Sequence, residues 1–196
     1  MKRMKFIFVN CGEHGFMSRA IAETVLHVSK SDKPFAVHMA IWFSEVDDPA
    51  ADRHLENVIF EARQPRVTFD TRGEMYDSEP NKYVFDFEVD DETYQRAVQM
   101  AFRLEGRKYG LITDCLVAGF EDQTGDDISK FINCDNTVMC SEAGSRISHA
   151  MFPDFGRKED GSAINFNTVT PIDAFHLLDD FFTNKVGERV NMLARG

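Results

Sequence analysis

"KYVFDFEVDDETYQRAVQMAFRLEG", residues 82–106, changes its hydrophobic period partway along. Over 82–89 it alternates. Tyr83, Phe85, Phe87 and Val89 fall on one side, while Lys82, Asp86 and Glu88 fall on the other, the signature of a half-buried strand. From residue 90 the period becomes helical. Asp90 and Asp91 stand at the start, Tyr94, Ala97, Val98, Ala101 and Leu104 share a face, and Gly106 closes the segment. Working outward, the residues before this junction read as strands and those after it as helices. "KFIFV", "FAVHMAIWF", "NVIFEA" and "PRVTFDT" are strand-like, with one helix-like stretch, "SRAIAETVLHVS", between the first two. The acidic run "SEVDDPAADRH" is expected to be an exposed loop. After residue 106, "LITDCLVAGF" reads as a helix, "EDQTGDD" as a polar loop and "NTVMCSEAGSRISHAMF" as a turn leading into a helix. "TPIDAFHLLDDFF" starts with Thr170 as N-cap, Pro171 in the first turn and Asp173 three after the cap. Strands first and helices after imply an α+β fold, an antiparallel sheet packed against helices. With no internal repeat and no low-complexity linker, residues 1–196 are expected to form one domain.

Composition narrows the function classes. The chain of 196 residues is 43% hydrophobic with 18 Phe, enough for one sizeable core rich in phenylalanine. No run approaches the roughly eighteen apolar residues of a membrane span. "FIFV" is too short for a signal-peptide core, so a cytoplasmic protein is expected. Four cysteines, at 11, 115, 134 and 140, are too few and too irregularly spaced for a disulfide framework.

Cys140 raises the chemical question. It stands at a helix start, where unpaired amides and the helix dipole favour a thiolate. A cysteine nucleophile needs a base and a group that orients the base. Of six histidines, His149 lies nine residues along the same helix, about 13 Å away at 1.5 Å per residue. His27 and His176 sit within amphipathic helices, and His54 lies in the acidic run. His38 opens the apolar strand "HMAIWF". Pairing that strand with "NVIFEA" as a hairpin centred on Pro49 and Ala50 sets Phe43 opposite Glu56, Ile41 opposite Val58 and His38 opposite Glu61. Directly opposed residues share a face of the sheet.

"FAVHMAIWF", "NVIFEARQPRV", "LEGRKYG" and "TVMCSEAGSRI", in that order, resemble the circularly permuted branch of papain-like, NlpC-type cysteine amidases and peptidases. That branch includes the YiiX-like proteins and is related to the lecithin:retinol acyltransferase superfamily. The likeness runs from about Ser18 to Asp173. It implies a permuted papain-like fold in which Cys140 is the nucleophile, His38 the base and Glu61 the orienting group. Tyr109 would line the substrate site. Read from the residues alone, Ser141 and Glu142 are candidate substrate contacts, while a Glu near a helix N-terminus also complements the helix dipole. Two departures bear on substrate identity. Val37 stands where the family usually has Ser, and "VNCGEHG" replaces its Gly-Asp opening.

The resemblance implies hydrolysis of an amide, in a cell-wall peptide or an N-acyl substrate, through an acyl-enzyme and without a cofactor. Acyl transfer to another acceptor is a close chemical relative. A catalytically silent module, for binding or for structure in a viral or phage particle, is the alternative of a different class. Rival constellations are poorer. Cys11 and His14 supply two ligands where zinc needs three or four, and no second pair follows, so no metal is expected. Neither acidic run has the register of a calcium loop.

With 33 acidic against 22 basic residues, the formal charge is −11, and no nucleic-acid partner is expected. Duplex DNA or RNA titrated with micromolar protein at physiological salt should therefore show no mobility shift. A shift that weakens with added salt would contradict this expectation.

Overall fold

The structure, a computed structural model, describes residues 1–9, 38–48, 51–63, 65–80, 82–110, 137–158, 160–184 and 190–195. The expected helix over 18–29, the expected helix and loop over 111–127, and Cys11, His14, Cys115 and Cys134 lie outside the described residues. Among the described residues eight strands form one sheet: β1 (Lys2–Val9), β2 (His38–Asp48), β3 (Arg53–Arg63), β4 (Arg66–Asp70), β5 (Lys82–Val89), β6 (Lys108–Tyr109), β7 (Thr137–Val138) and β8 (Val190–Arg195). Their order is β7-β6-β4-β3-β2-β1-β5-β8. The fold is α+β, as the strand-to-helix order implies. The sheet is mixed rather than wholly antiparallel, because β6 and β7 pair in parallel. The described helices are α1 (Asp91–Leu104), α2 (Cys140–Met151) and α3 (Pro171–Asn184), with a 3-10 turn at Phe166–Thr168.

Alternation decides which face of the sheet the helices cover. Met4, Phe6 and Phe8 of β1, Met39, Ile41 and Phe43 of β2, and Phe85 and Phe87 of β5 pack with α1, α2 and α3 into one core. Phenylalanines make up much of its bulk, and Phe181 and Phe182 of α3 reach into it. The opposite face carries a smaller cluster of Ile7, Ala40 and Ile59, covered in part by Trp42, Met75 and Tyr76.

The helix ends follow their local chemistry. Asp90 accepts from the Thr93 amide at 2.8 Å and so caps α1. At α3, Thr170 and Asp173 exchange bonds: the Asp173 amide donates to Thr170 Oγ1 at 3.2 Å, and the Thr170 amide donates to Asp173 Oδ2 at 3.0 Å.

The acidic run is not a loop. β2 continues to Asp48 and β3 begins at Arg53, because opposed charges hold the polar ends together. Arg53 donates to Asp48 at 3.1 Å, and His54 contacts Asp47 at 2.6 Å. The hairpin register also differs from the expected one by two residues. Phe43 faces Val58, Ile41 faces Phe60, and Ala40, not His38, faces Glu61. The expected pairing centred the turn one residue too early, whereas Ala51 and Asp52 form its far side. Asp52 there has φ 46° and the Ala51 amide bonds the Asp48 carbonyl at 3.2 Å. A two-residue offset preserves the period-two alternation, so His38 and Glu61 still share a face. β8 runs beside β5 at the sheet edge, an element the periodicity did not reveal.

Thr170→Ala removes the cap of α3 and should cost about 1 kcal/mol of stability. Urea denaturation should show a lower midpoint with an unchanged slope. An unchanged midpoint would mean that the capping exchange contributes nothing.

Candidate active site at the start of the Cys140 helix

β6 and β7 deliver Cys140. Tyr109 pairs with Val138, and α2 starts two residues later. Met139 occupies the cap position without a side-chain cap bond. Apart from the Ser141 amide, which the Cys140 thiol takes, the first amides of α2 are therefore not used by a cap side chain. Nine of the twelve residues of α2 are buried, among them Ala143, Gly144, Ser145 and Ser148. These small side chains let the helix lie close to the sheet. At Gly144 an added Cβ would fall 2.2 Å from the Met39 thioether. That contact seats α2 on the residue next to His38.

The cysteine is 4% exposed. Its thiol hydrogen-bonds to His38 and accepts from the backbone amides of Met39 and Ser141. His38 in turn bridges to β3, with Nε2 lying 3.1 Å from Glu61 Oε2. Because Glu61 opposes Ala40, this contact crosses the diagonal of the ladder, a span of roughly 7–8 Å between backbones that two long side chains can close. The His38 side chain is 21% exposed and that of Glu61 is 0% exposed, so the imidazole is the partly exposed middle member of a mostly buried series.

Electrostatics favour the charged forms. Burial pushes the His38 imidazolium toward losing its proton, but the facing Cys140 and Glu61 outweigh it and raise the pKa to about 10. Burial pushes the Cys140 thiol up. The His38 charge and hydrogen bond outweigh it, together with the Met39 and Ser141 amides, and the thiol falls below its ordinary value. For Glu61, burial is outweighed by His38, Tyr76 and Arg63, and the carboxyl lies below the usual range. Both shifts favour a thiolate beside an imidazolium, the state in which a cysteine attacks a carbonyl.

Two residues at this site escaped the sequence reading. Tyr76 donates its hydroxyl to Glu61 Oε2 at 2.6 Å, and its ring lies 6.2 Å from that of His38. Arg63 Nε sits 2.9 Å from Glu61 Oε1, an ion pair not aligned as a hydrogen bond. The available signal was the apolar pair Met75-Tyr76 inside the polar turn segment "TRGEMYDSEP".

The remaining expected contacts sit as follows. Ser141 is fully buried, and its hydroxyl donates to the Val169 carbonyl at 2.6 Å, tying the start of α2 to the start of α3. Tyr109 is half-buried against the main core beside Val138. His149 lies outside the site and hydrogen-bonds the Phe155 carbonyl at 2.8 Å. His54 is held by Asp47 and Glu56 at the far end of the hairpin. Glu142 is buried, and burial raises its pKa against the pull of Arg146, which donates to it at 2.7 Å. Among the described residues no group of three or more His, Cys, Asp and Glu could hold a metal ion, and no helix is long and apolar enough to cross a membrane.

No protein-family model matches the chain, and no curated protein matches it. Among solved structures it is similar to the metalloprotein yiiX from Escherichia coli O157:H7, with TM-score 0.46 and 14% identity. The alignment covers 98% of this chain and 96% of that one, a likeness too slight to carry an argument.

The two linked shifts predict a broad window for thiolate chemistry. His38 stabilises the fold fully below the ordinary imidazole value of about 6.5, and that stabilisation is lost as pH rises through about 10. Cys140 contributes above the ordinary thiol value, and that contribution is lost as pH falls through its lowered pKa. Between the ordinary values of about 6.5 and about 8.5 the folded and the unfolded pair each hold one proton, so stability should be flat there. Iodoacetamide should modify Cys140 at pH values well below the usual thiol midpoint of about 8.5, and faster than Cys11, Cys115 or Cys134. Equal labelling of all four cysteines at neutral pH would contradict the ion pair.

Proposed function

We propose that this protein is a cysteine hydrolase that cleaves an amide bond, with Cys140 as nucleophile, His38 as acid and base, and Glu61 as the group that orients His38. One observation supports the reading above all others. His38 is shared between the Cys140 thiol and the Glu61 carboxylate, and both shifts favour thiolate with imidazolium. In the reaction the Cys140 sulfur adds to the substrate carbonyl, giving a tetrahedral oxyanion. First-turn amides of α2, without a side-chain cap, supply donors for that oxyanion. His38 gives its proton to the departing nitrogen as the carbon–nitrogen bond breaks, leaving a thioester. Neutral His38 then takes a proton from water, which attacks the thioester and frees the acid and Cys140.

In this reading Ser141 acts through its amide, since its hydroxyl is committed to Val169. Tyr109, on the strand beside the approach to Cys140, lines the substrate side. The substrate class is a cell-wall peptide or an N-acyl compound, and the fold belongs with the permuted papain-like amidases.

Intact mass after incubation with an activated acyl ester should show one acyl adduct in the wild type and none in Cys140→Ser. With a peptide amide that turns over, His38→Ala should lower the rate about 10²–10⁴-fold, since both proton transfers are lost. Glu61→Gln should lower it less, because a hydrogen bond remains and only the charge is gone. Wild-type protein that takes up no acyl group, or Glu61→Gln at full rate, would overturn the respective assignment.

A further inference from the structure

We infer that Tyr76 is a positioning residue of this site, holding the Glu61 carboxylate in the orientation that serves His38. The inference rests on the reading of Cys140, His38 and Glu61 given above. Glu61 Oε2 accepts from His38 Nε2 and from the Tyr76 hydroxyl, while Arg63 attends Oε1. His38 on Oε2 and an Arg63 ion pair on Oε1 that is not aligned as a hydrogen bond leave the carboxylate some rotation about its last torsion. A second donor on Oε2, coming from a different direction, stops that rotation. The Tyr76 ring, tilted 37° to the imidazole, also limits the movement of His38 itself.

Tyr76 has to be immobile to do this, and it is anchored on both sides. Lys82 at the start of β5 donates to the carbonyls of Tyr76 and Asp77, at 2.7 Å each. Three turn bonds close the same segment: Met75 to Arg72, Asp77 to Glu74 and Glu79 to Tyr76. Its other end rests on β3 at Asn57, whose backbone has φ 53° and whose Oδ1 accepts from Trp42 Nε1 at 2.6 Å. Gly73 packs so closely there that an added Cβ would sit 2.2 Å from the Asn57 carbonyl oxygen. The segment thus covers Glu61 from the sheet face opposite the helices, while Cys140 arrives with α2 from the helix side. His38, at the start of β2, is where the two meet.

The charged and titratable groups acting on Glu61 and Tyr76 are His38 on β2, Arg63 on β3, Arg72 in the Tyr76 segment and Cys140 at α2. Removing one hydroxyl donor leaves the others in place, so the change is readable. In protein carrying ¹³C-labelled glutamate, the Glu61 resonance is assigned by its loss in Glu61→Gln. Its titration midpoint in Tyr76→Phe should rise by roughly one pH unit, because a hydrogen bond to the ionised form is gone. The acid limb of Cys140 alkylation should move up with it, and kcat/KM should fall about tenfold. Incorporating 3-fluorotyrosine at position 76 strengthens the donor and should move the Glu61 midpoint down.

A Tyr76→Phe protein that is folded and has an unmoved Glu61 midpoint overturns the inference, since a residue needed only for packing would behave that way. Should Tyr76→Phe fail to fold, the fluorotyrosine protein decides by the same criterion. Failure of the underlying reading is separately visible. Cys140 alkylation unaffected by His38→Ala overturns the hydrolase proposal, whatever the Glu61 titration does.

Discussion

A carboxylate with a fully buried side chain must be met by donors, and the Glu61 carboxylate is such a group. Burial alone would push it toward the neutral acid. His38, Tyr76 and Arg63 reverse that tendency, and each arrives from a different part of the chain: the start of β2, the segment between β4 and β5, and the end of β3. Satisfying this one group therefore ties three stretches together at one end of the sheet. The Cys140 helix is joined to the same point through His38.

The thiol and the imidazole shift in opposite directions for a shared reason. Each is the other's counter-ion in a setting that excludes most water, so moving one proton from sulfur to nitrogen creates a compensated pair. Glu61 biases that transfer by stabilising the imidazolium from its far side. The Met39 and Ser141 amides bias it from the thiol side. The fold contributes the close approach. Gly144 lets α2 settle against Met39, and Ser141 fastens the first turn of α2 to Val169. A bulkier helix face would hold the sulfur farther from the strand that carries His38.

Much of the architecture was legible in the chain because it depends on local rules. The alternation over 82–89, the helical face from Tyr94 to Leu104 and the Thr170–Asp173 capping pattern are all set by residues near one another in sequence. The same holds for the candidate cysteine, whose place at a helix start follows from the pattern around it. The face shared by His38 and Glu61 survived a wrong turn position because alternation has a period of two, and the actual register was displaced by two. The acidic run was misread for a related reason. Charged residues look like a solvated loop until the opposite strand supplies Arg53 and His54 as partners.

What the sequence by itself determined is strands β1 to β5 and helices α1 to α3, their buried faces and the residue types able to do thiol chemistry, since these follow from short-range periodicity and side-chain chemistry. Only the tertiary structure decided the hairpin register, the parallel β6–β7 pair that leads to Cys140, and the β8 edge strand. It alone also decided the meeting of Tyr76 and Arg63 on Glu61. Tyr76 lies fifteen residues from Glu61 in a polar turn, and nothing in its local pattern says which carboxylate it will meet. That choice is made by how the segment lies across the sheet, held by Lys82 and by the close packing of Gly73 on Asn57.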